Sequence, residues 1–423
     1  MADDTSMKHF TSCVVAMLEA ACGAMGKQDL PVVIAGGGIG GLASGLMLAR
    51  AGRRVIICEQ AEHFGETGAG IQIGPNAFTM FDVMGIRQEI NKVAVFPDAL
   101  VMMDALTGEQ ITRIGLNNDG FKQHFRNPYG VIYRPDLHNV LLDAVKAMPQ
   151  IELLTNCSVN SFNDQGECVE VETSLGLKKA AAVVGADGLW SKTRSSLLGN
   201  HKPRISGHIA YRAVLPADEV PEENRRNEVI LWAGPRTHLV HYPLHCGEIF
   251  NLVAVFHSDR YEEGWDVFGD VEELNRRFKG QHRNVLNMLE KIEAWRMWVL
   301  CDREPVKNWS EGRVTLLGDA AHPTMQYLAQ GACMAIEDAV CLAHKLGQHE
   351  GNFATAFVDY QHSRYLRTAR VQLTSRFYGD IYHAADVTAE LRDMMLGGRD
   401  DQAAYAGMAW LYDGVNDHGE QIL

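Results

Sequence analysis

Near its start the chain alternates short β-branched runs with a helical repeat. Leu30 to Ala35 is a compact apolar run, glycines follow at once, and Leu42, Leu46, Met47 and Ala49 then recur at helical spacing. After Arg53-Arg54 a second apolar run, Val55 to Cys58, ends at Glu59. The pattern predicts a strand–turn–helix–strand unit of about 30 residues, the size of a parallel crossover. The middle reads differently. Tyr211 to Leu215, Val229 to Trp232, His238 to Tyr242 and Phe250 to Phe256 are short strand-like pieces, and Gly234-Pro235 and Cys246-Gly247 punctuate them. That rhythm predicts an antiparallel sheet in a separate domain. A buried-strand pattern returns in Val314 to Leu317, a long helical pattern begins near Ala329, and the remainder is mostly helical in composition.

These patterns predict an α/β chain with a Rossmann-like nucleotide-binding domain, an inserted mixed or antiparallel β-sheet domain and a helical C-terminal region. The boundaries read as an extension at 1–29, a first nucleotide-binding part at 30–200 with an excursion near 95–125, a sheet domain at 201–300, a second nucleotide-binding part at 301–350 and helices at 351–423. Within the extension, Glu19 interrupts the apolar stretch from Phe10 to Met25, which argues against a secretory leader or a lipoprotein signal at Cys22. No apolar run approaches the roughly 20 residues that span a bilayer.

Composition narrows the partners. A net charge of −14 on 423 residues repels phosphate backbones and argues against nucleic acid. Nine cysteines, an odd number with no CxxC pair, fit a reduced cytoplasmic protein better than a disulfide framework or a zinc finger.

Gly36-Gly37-Gly38-Ile39-Gly40-Gly41 places GxGxxG at Gly36, Gly38 and Gly41, between the first strand and the helix. The first glycine permits the tight turn, the second lets backbone approach a pyrophosphate, and the third lets helix pack on strand. Glu59 ends the next strand, where a carboxylate accepts from ribose hydroxyls and disfavours a 2′-phosphate. The loop therefore predicts FAD or NAD rather than NADP. Two further strands each end in a glycine and an aspartate: Gly185-Ala186-Asp187-Gly188 and Gly318-Asp319-Ala320-Ala321-His322-Pro323. Either alone reads as an ordinary strand-to-helix cap.

Taken together with Gly68 to Asn76 and Arg134-Pro135-Asp136-Leu137-His138, these motifs resemble the single-component FAD-dependent aromatic hydroxylases with the para-hydroxybenzoate hydroxylase fold. The resemblance implies that Gly36, Gly38, Gly40 and Gly41 form the FAD loop and that Glu59 holds the adenosine ribose. It implies Arg134 near the pyrophosphate, backbone near Val159 against the adenine, and Asp319 on the ribitol chain. Asp187 and Gly188 would serve the pyrophosphate region and the approach of the nicotinamide cosubstrate. Gly331 and Ala332 would open a helix whose N–H groups face the flavin pyrimidine edge.

The second half is similar to the 3-hydroxybenzoate 6-hydroxylases in Tyr211-Arg212, in Gly234 to Leu244, in Asp302-Arg303-Glu304-Pro305 and in His322 to Leu328. The resemblance implies NADH and O2 as cosubstrates. Oxygen would enter the ring para to the phenol by way of a C4a-hydroperoxyflavin, turning 3-hydroxybenzoate into gentisate. It leaves room for a homodimer. Alternate residues on a strand share a face, so His238, Val240 and Tyr242 point one way and His241 the other. His238 is the expected base or acceptor at the phenol, since a phenolate activates its ortho and para carbons. Tyr242 is expected to fix the ring or carboxylate, and Gln326 to orient the phenol or the departing proton. His238, His241 and His245 split between two faces and are not expected to hold a metal. The rival readings are a salicylate- or 6-hydroxynicotinate-type decarboxylating hydroxylase, a flavin or NAD dehydrogenase, and a non-catalytic dinucleotide sensor.

Overall fold

The computed structural model describes residues 30–66, 68–199, 201–258 and 267–422; the expected N-terminal extension lies outside them. Apolar runs of three or four residues, buried along their length, form the centre of a six-stranded sheet. Its order is Ser310–Glu311, Val314–Leu316, Ala182–Gly185, Val32–Ala35, Val55–Cys58, Ile151–Leu154, parallel except at the first pair. Strands buried on both faces need no polar alternation, which is why these read as plain apolar runs. Helix Ile39–Arg50 crosses over the sheet and begins where the glycine loop ends. A Cβ at Gly41 would overlap the Gly36 carbonyl oxygen, so the turn closes only with glycine there.

The second large sheet has eight strands, in the order Val267–Phe268, Arg296–Asp302, Arg204–Pro216, Ile249–His257, Thr237–Leu244, Glu228–Gly234, Ala99–Asp104, Gln110–Gly115. The four strand-like pieces of the middle region all lie in it. The parallel pair between Glu228–Gly234 and Ala99–Asp104 ties the early segment to the middle of the chain. Its outer face packs Ile209, Tyr211, Leu239, Leu252, Ala254 and Phe256 against the short helices Val271–Arg277 and Arg283–Leu289. The inner face carries the alternate residues Ala210, Val253 and Val255, which meet Met325 and Tyr327. A small sheet of Gly70–Ile73, Gly130–Tyr133 and Ala94–Val95 lies against that inner face. There the Gly70 N–H donates to Asn251 Oδ1 at 2.7 Å.

The helical part is bolted to the nucleotide-binding part by charge. Helix Gly331–Gln348 contributes Glu337 and Asp338, and the 30-residue helix Phe353–Tyr382 contributes Arg364 and Arg367, all at 2% exposure or less. Arg364 meets Glu337 and Asp338 at 2.7 Å each, and Arg367 meets Glu337 at 2.7 Å. Asp338 also accepts from the Gly318 N–H at 3.1 Å and pairs with His322 Nε2 at 2.6 Å. Burial would raise the Asp338 carboxyl, but His322 and Arg364 outweigh it and hold it at about 2. The same arginines reach the carbonyls of Gly419, Trp410 and Leu411, which fastens the C-terminal segment. Trp309 is buried between the rings of His322 and Tyr360 and fills the space beside this group.

Removing one partner of such a group leaves an unpaired buried charge, at a cost of about 3–5 kcal/mol. Arg364→Met should therefore lower the unfolding free energy by about that much, read from the midpoint of guanidinium denaturation. Retention of wild-type stability would show that Glu337 and Asp338 are not left uncompensated by loss of the guanidinium.

Candidate active site

Two neighbouring regions gather the residues of interest. In the first, the Glu59 carboxylate accepts from the N–H groups of Gly37 and Ala61 at 2.8 Å each. It therefore stands at the edge of the glycine loop. His138, in helix Arg134–Lys146, holds the Gly37 carbonyl at 2.9 Å from Nε2. The Glu59 carbonyl accepts from the Cys157 N–H at 2.8 Å, and strand Val159–Asp164 starts two residues later. Val159 thus enters beside Glu59.

On the other side of the loop lie Arg134, Glu66, Asp319 and the start of helix Gly331–Gln348. Arg134 Nη2 meets Glu66 Oε1 at 3.0 Å, while its Nε is buried without a hydrogen-bond partner. Asp319 is exposed to solvent although protein surrounds it, as expected for the floor of a cleft. Burial raises its carboxyl, Glu66 adds to that, and His322 and Arg134 act in the opposite direction. A Cβ built on Gly331 would lie 3.8 Å from Asp319 Oδ1, so the helix terminus and the carboxylate are neighbours. Gly331 and Ala332 remain partly accessible on a helix whose following residues are buried. Free N–H groups at a helix start favour negative charge nearby.

These residues fit a dinucleotide. A Cβ on Gly38 would meet nothing closer than Glu66 Oε1 at 3.7 Å, and its φ of −74° suits any residue. Glycine there keeps space open rather than relieving strain. The Arg134 Nε, the Asp319 carboxylate and the helix start supply the polar partners. Asp187 is placed differently. Its carboxylate accepts from Ser191 Oγ at 2.6 Å and from the Thr193 N–H and hydroxyl at 3.0 and 3.1 Å, and so braces the start of helix Lys192–Leu198. The adjacent Gly188, at φ +73°, has open space where a side chain would be.

The second region is the inner face of the eight-stranded sheet. Strand pairing sets its rows: Ala210–Val255–His238, then Arg212–Val253–Val240, then Val214–Asn251–Tyr242. His238 and Tyr242 are each 2% exposed, and Val240 lies between them on the same face. Gln326 sits on a short 3-10 turn, Gln326–Leu328, that ends in the left-handed Ala329 at φ +53°. Its Oε1 accepts from Arg212 Nη2 at 2.6 Å. Tyr327, the next residue, lies edge-on to His238 with ring centroids 5.6 Å apart. Arg212 and Gln326 are thus joined directly, and His238 and Tyr242 flank them.

Sequence patterning marks Arg212 but gives it no role. The guanidinium is enclosed, burial pushes it down to about 10, and Trp298 lies 5.3 Å from it. Among the described residues no carboxylate pairs with it, and its Nε is buried without a partner. A charged residue inside the strand-like piece Tyr211 to Leu215 was the available signal. Gln72, Tyr129 and Asn251 were also unassigned. Tyr129 donates to Gln72 Oε1 at 2.5 Å, and Gln72 also bonds Tyr242. Burial drives the Tyr242 phenol up, partly offset by Arg212 and Gln72.

The histidines divide as well. His241 lies on the outer side beside Trp232 Nε1 at 3.2 Å, and His245 pairs with Asp136 at 2.8 Å. His238 instead meets His383, at the end of helix Phe353–Tyr382, through Nδ1 and Nε2 at 2.7 Å. His208 and His257 complete that group, and the nitrogens of His208, His257 and His383 lie within 4.8 Å of one another. Burial holds His238 at about 3 and His208 at about 4, so both are neutral at pH 7.

Gly38→Ala tests the glycine loop. Its apoprotein should melt with the wild type, while FAD affinity, measured by fluorescence quenching on titration, should fall by about tenfold or more, since a methyl group stands where backbone must approach pyrophosphate. Unchanged affinity would remove the loop from the cofactor site.

Comparison with known proteins agrees with this geometry. Residues 29–372 match the FAD binding domain family. The chain is 45% identical over 388 residues to 3-hydroxybenzoate 6-hydroxylase of Klebsiella oxytoca, covering 91% of this chain and 97% of that one. It is 33% identical over 360 residues to 6-hydroxynicotinate 3-monooxygenase of Bordetella bronchiseptica, covering 83% and 91%. A salicylate hydroxylase solved with substrate superposes with a TM-score of 0.78 at 22% identity, covering 94% of this chain and 100% of that one. The family match spans the glycine loop, the Asp319 cleft and the sheet above them: the chain belongs to the FAD-binding family that includes the 3-hydroxybenzoate 6-hydroxylases.

Proposed function

We propose that this protein is an FAD-dependent monooxygenase that hydroxylates 3-hydroxybenzoate para to its phenol, using NADH and O2 and releasing gentisate. The observation that carries the reading is the inner sheet face, where a neutral, buried His238 and a half-buried Arg212 without a counter-charge flank Gln326 beside the Asp319 cleft. A hydroxybenzoate presents the complement: one phenol and one carboxylate on a flat apolar ring.

FAD, when bound, would supply the redox chemistry between NADH and O2. The chain's own residues prepare the ring. His238 Nδ1 is engaged with His383, and no described residue hydrogen-bonds its Nε2. That nitrogen accepts the phenol proton and raises electron density at the para carbon. Arg212 takes the carboxylate in a charge-assisted pair. Gln326, held by Arg212, presents its amide N–H2 group to the substrate. Tyr242, fixed by Gln72 and close against the Gly70 backbone, bounds the ring. Val240 and Val253 supply an apolar floor that excludes water. Glu59, Arg134, Val159, Asp319, Gly331 and Ala332 would hold the cofactor, and Asp187 would act through the loop it braces. Among the described residues no helix is long and apolar enough to cross a membrane. A reduced, cytoplasmic site of action belongs to this reading.

The purified protein should be yellow, and 3-hydroxybenzoate should stimulate its oxidation of NADH. The product should be 2,5-dihydroxybenzoate carrying one atom from labelled O2, with no carbon dioxide released. Release of carbon dioxide would point to the decarboxylating hydroxylases, and turnover without oxygen uptake to a dehydrogenase.

Arg212→Met separates binding from chemistry. A hydrogen bond to a charged group is worth about 1.5–3 kcal/mol, so KM for 3-hydroxybenzoate should rise by roughly 10- to 150-fold. The KM for NADH should stay within about twofold. An unchanged KM for the aromatic acid would place its carboxylate elsewhere.

A further inference from the structure

Resting on the proposed function, we infer that His238, His383 and His257 form a proton relay that carries the phenol proton from the buried ring-binding face to solvent, making His383 and His257 functional residues of the reaction. His238 Nδ1 lies 2.7 Å from His383 Nε2, and His383 Nδ1 lies 3.2 Å from His257 Nε2. The three rings come from three elements: strand Thr237–Leu244, the end of helix Phe353–Tyr382 and strand Ile249–His257. His238 is 2% exposed, His383 6%, and His257 is partly open. The chain thus runs from inside outward.

Two tautomer patterns satisfy these contacts, with the hydrogen of every ring on Nδ1 or of every ring on Nε2. The relay uses both: in the first each ring donates from Nδ1 to the next ring's Nε2, and His238 Nε2 is left as a free acceptor. When the phenol gives its proton to His238 Nε2, the Nδ1 proton of His238 passes to His383 Nε2. The Nδ1 proton of His383 passes to His257 Nε2, and that of His257 leaves to water. Three N–H bonds form and three break, no ring keeps an extra proton, and one proton reaches solvent. Product release returns a proton by the reverse route and restores the starting tautomers.

The surroundings explain why passing a proton on is preferred to holding it. Burial, with His208 adding to it, leaves His238 at about 3, so a proton cannot rest there at neutral pH. His383 is likewise held well below its ordinary value, by burial and then by His238, His208 and His257. It nevertheless closes a 30-residue helix whose terminal carbonyls soften transient positive charge. At His257 burial lowers the ring, Arg236 and Arg277 add to that, and Asp380 draws the other way. Of the three relay rings, His257 is the one that this carboxylate favours in the charged form, which draws the proton outward. His208 packs 4.1 Å from His257, is itself lowered by burial, His257, Arg204 and Arg236, and bonds the Tyr327 hydroxyl through Nδ1. Tyr327 and Tyr382, both raised by burial, wall off His238 and hold no charge near pH 7. Arg236 also ties its N–H to the His383 carbonyl at 3.0 Å, which fixes the register of the helix end on the sheet.

The test uses holoenzyme variants His383→Ala and His257→Phe with 3-hydroxybenzoate as substrate. Loss of general-base assistance costs about 100-fold or more, so kcat should fall by at least about tenfold in both variants while KM stays within about threefold. Wild-type kcat should be flat from pH 6 to 9. Each variant should instead gain rate as pH rises towards the substrate phenol's own ionisation near 10, the ordinary value for a phenol. Added imidazole should partly restore His383→Ala. Proton release on mixing with substrate, followed by an indicator dye, should slow in step with kcat. If His383→Ala does not fold, His257→Phe decides alone, because its site is partly open and tolerates the change. Wild-type kcat, pH profile and proton release in the folded variants overturn the relay and leave the proposed reaction standing. A flavin-loaded wild type inert towards every phenolic acid removes the reaction and the relay together.

Discussion

The placement of every candidate residue depends on one buried set of charges. Glu337 and Asp338 on one helix face Arg364 and Arg367 on the next, with water excluded from all four. Asp338 also holds the Gly318 N–H and His322, so the loop bearing Asp319 is set by the same carboxylate that locks the two helices. Glu337 accepts from Asn76 Nδ2 at 2.7 Å, which draws in the segment that follows Gly70–Ile73. Such a group adds little raw stability, because charges lose hydration when buried. It is effective at fixing one arrangement, because any misalignment leaves a charge unpaired.

The sheet above the cleft works by alternation. Its outer residues close a core with two short helices, and its inner residues are free to carry chemistry. Strand pairing places Arg212, Val253 and Val240 in one row, with the His238 and Tyr242 rows on either side. A slip of one residue in strand Thr237–Leu244 would send His238 to the core and Leu239 to the site. Rigid register orients His238, Arg212 and Tyr242, and only Gln326 among the side chains proposed to meet substrate comes from a turn.

Much of this was legible along the chain. Apolar runs four residues long ending in glycine are hard to mistake when each strand is buried on both sides, and the GxGxxG spacing shows where the first turns into a helix. The face shared by His238, Val240 and Tyr242 follows from a period of two, and the pairing bears it out. Other features were invisible for physical reasons. Asp187 looks like a ligand in Gly-Ala-Asp-Gly, yet its carboxylate is absorbed by Ser191 and Thr193 only a few residues on, a local competition that a motif does not reveal. The partnership of His238 with His383 spans 145 positions, and no periodicity links residues so far apart. Arg212 sat in plain view, but its lack of a counter-charge is a property of three-dimensional surroundings.

The arginine contacts to the carbonyls of Gly419, Trp410 and Leu411 carry a consequence for synthesis. A polypeptide leaving the ribosome can pair its early strands and set Arg364 and Arg367 against Glu337 and Asp338, but these arginines lack their carbonyl partners until the final segment has emerged. His383 and the Asp319 loop reach their places together with that helix. Bracing of the catalytic apparatus is therefore completed only when those late residues dock.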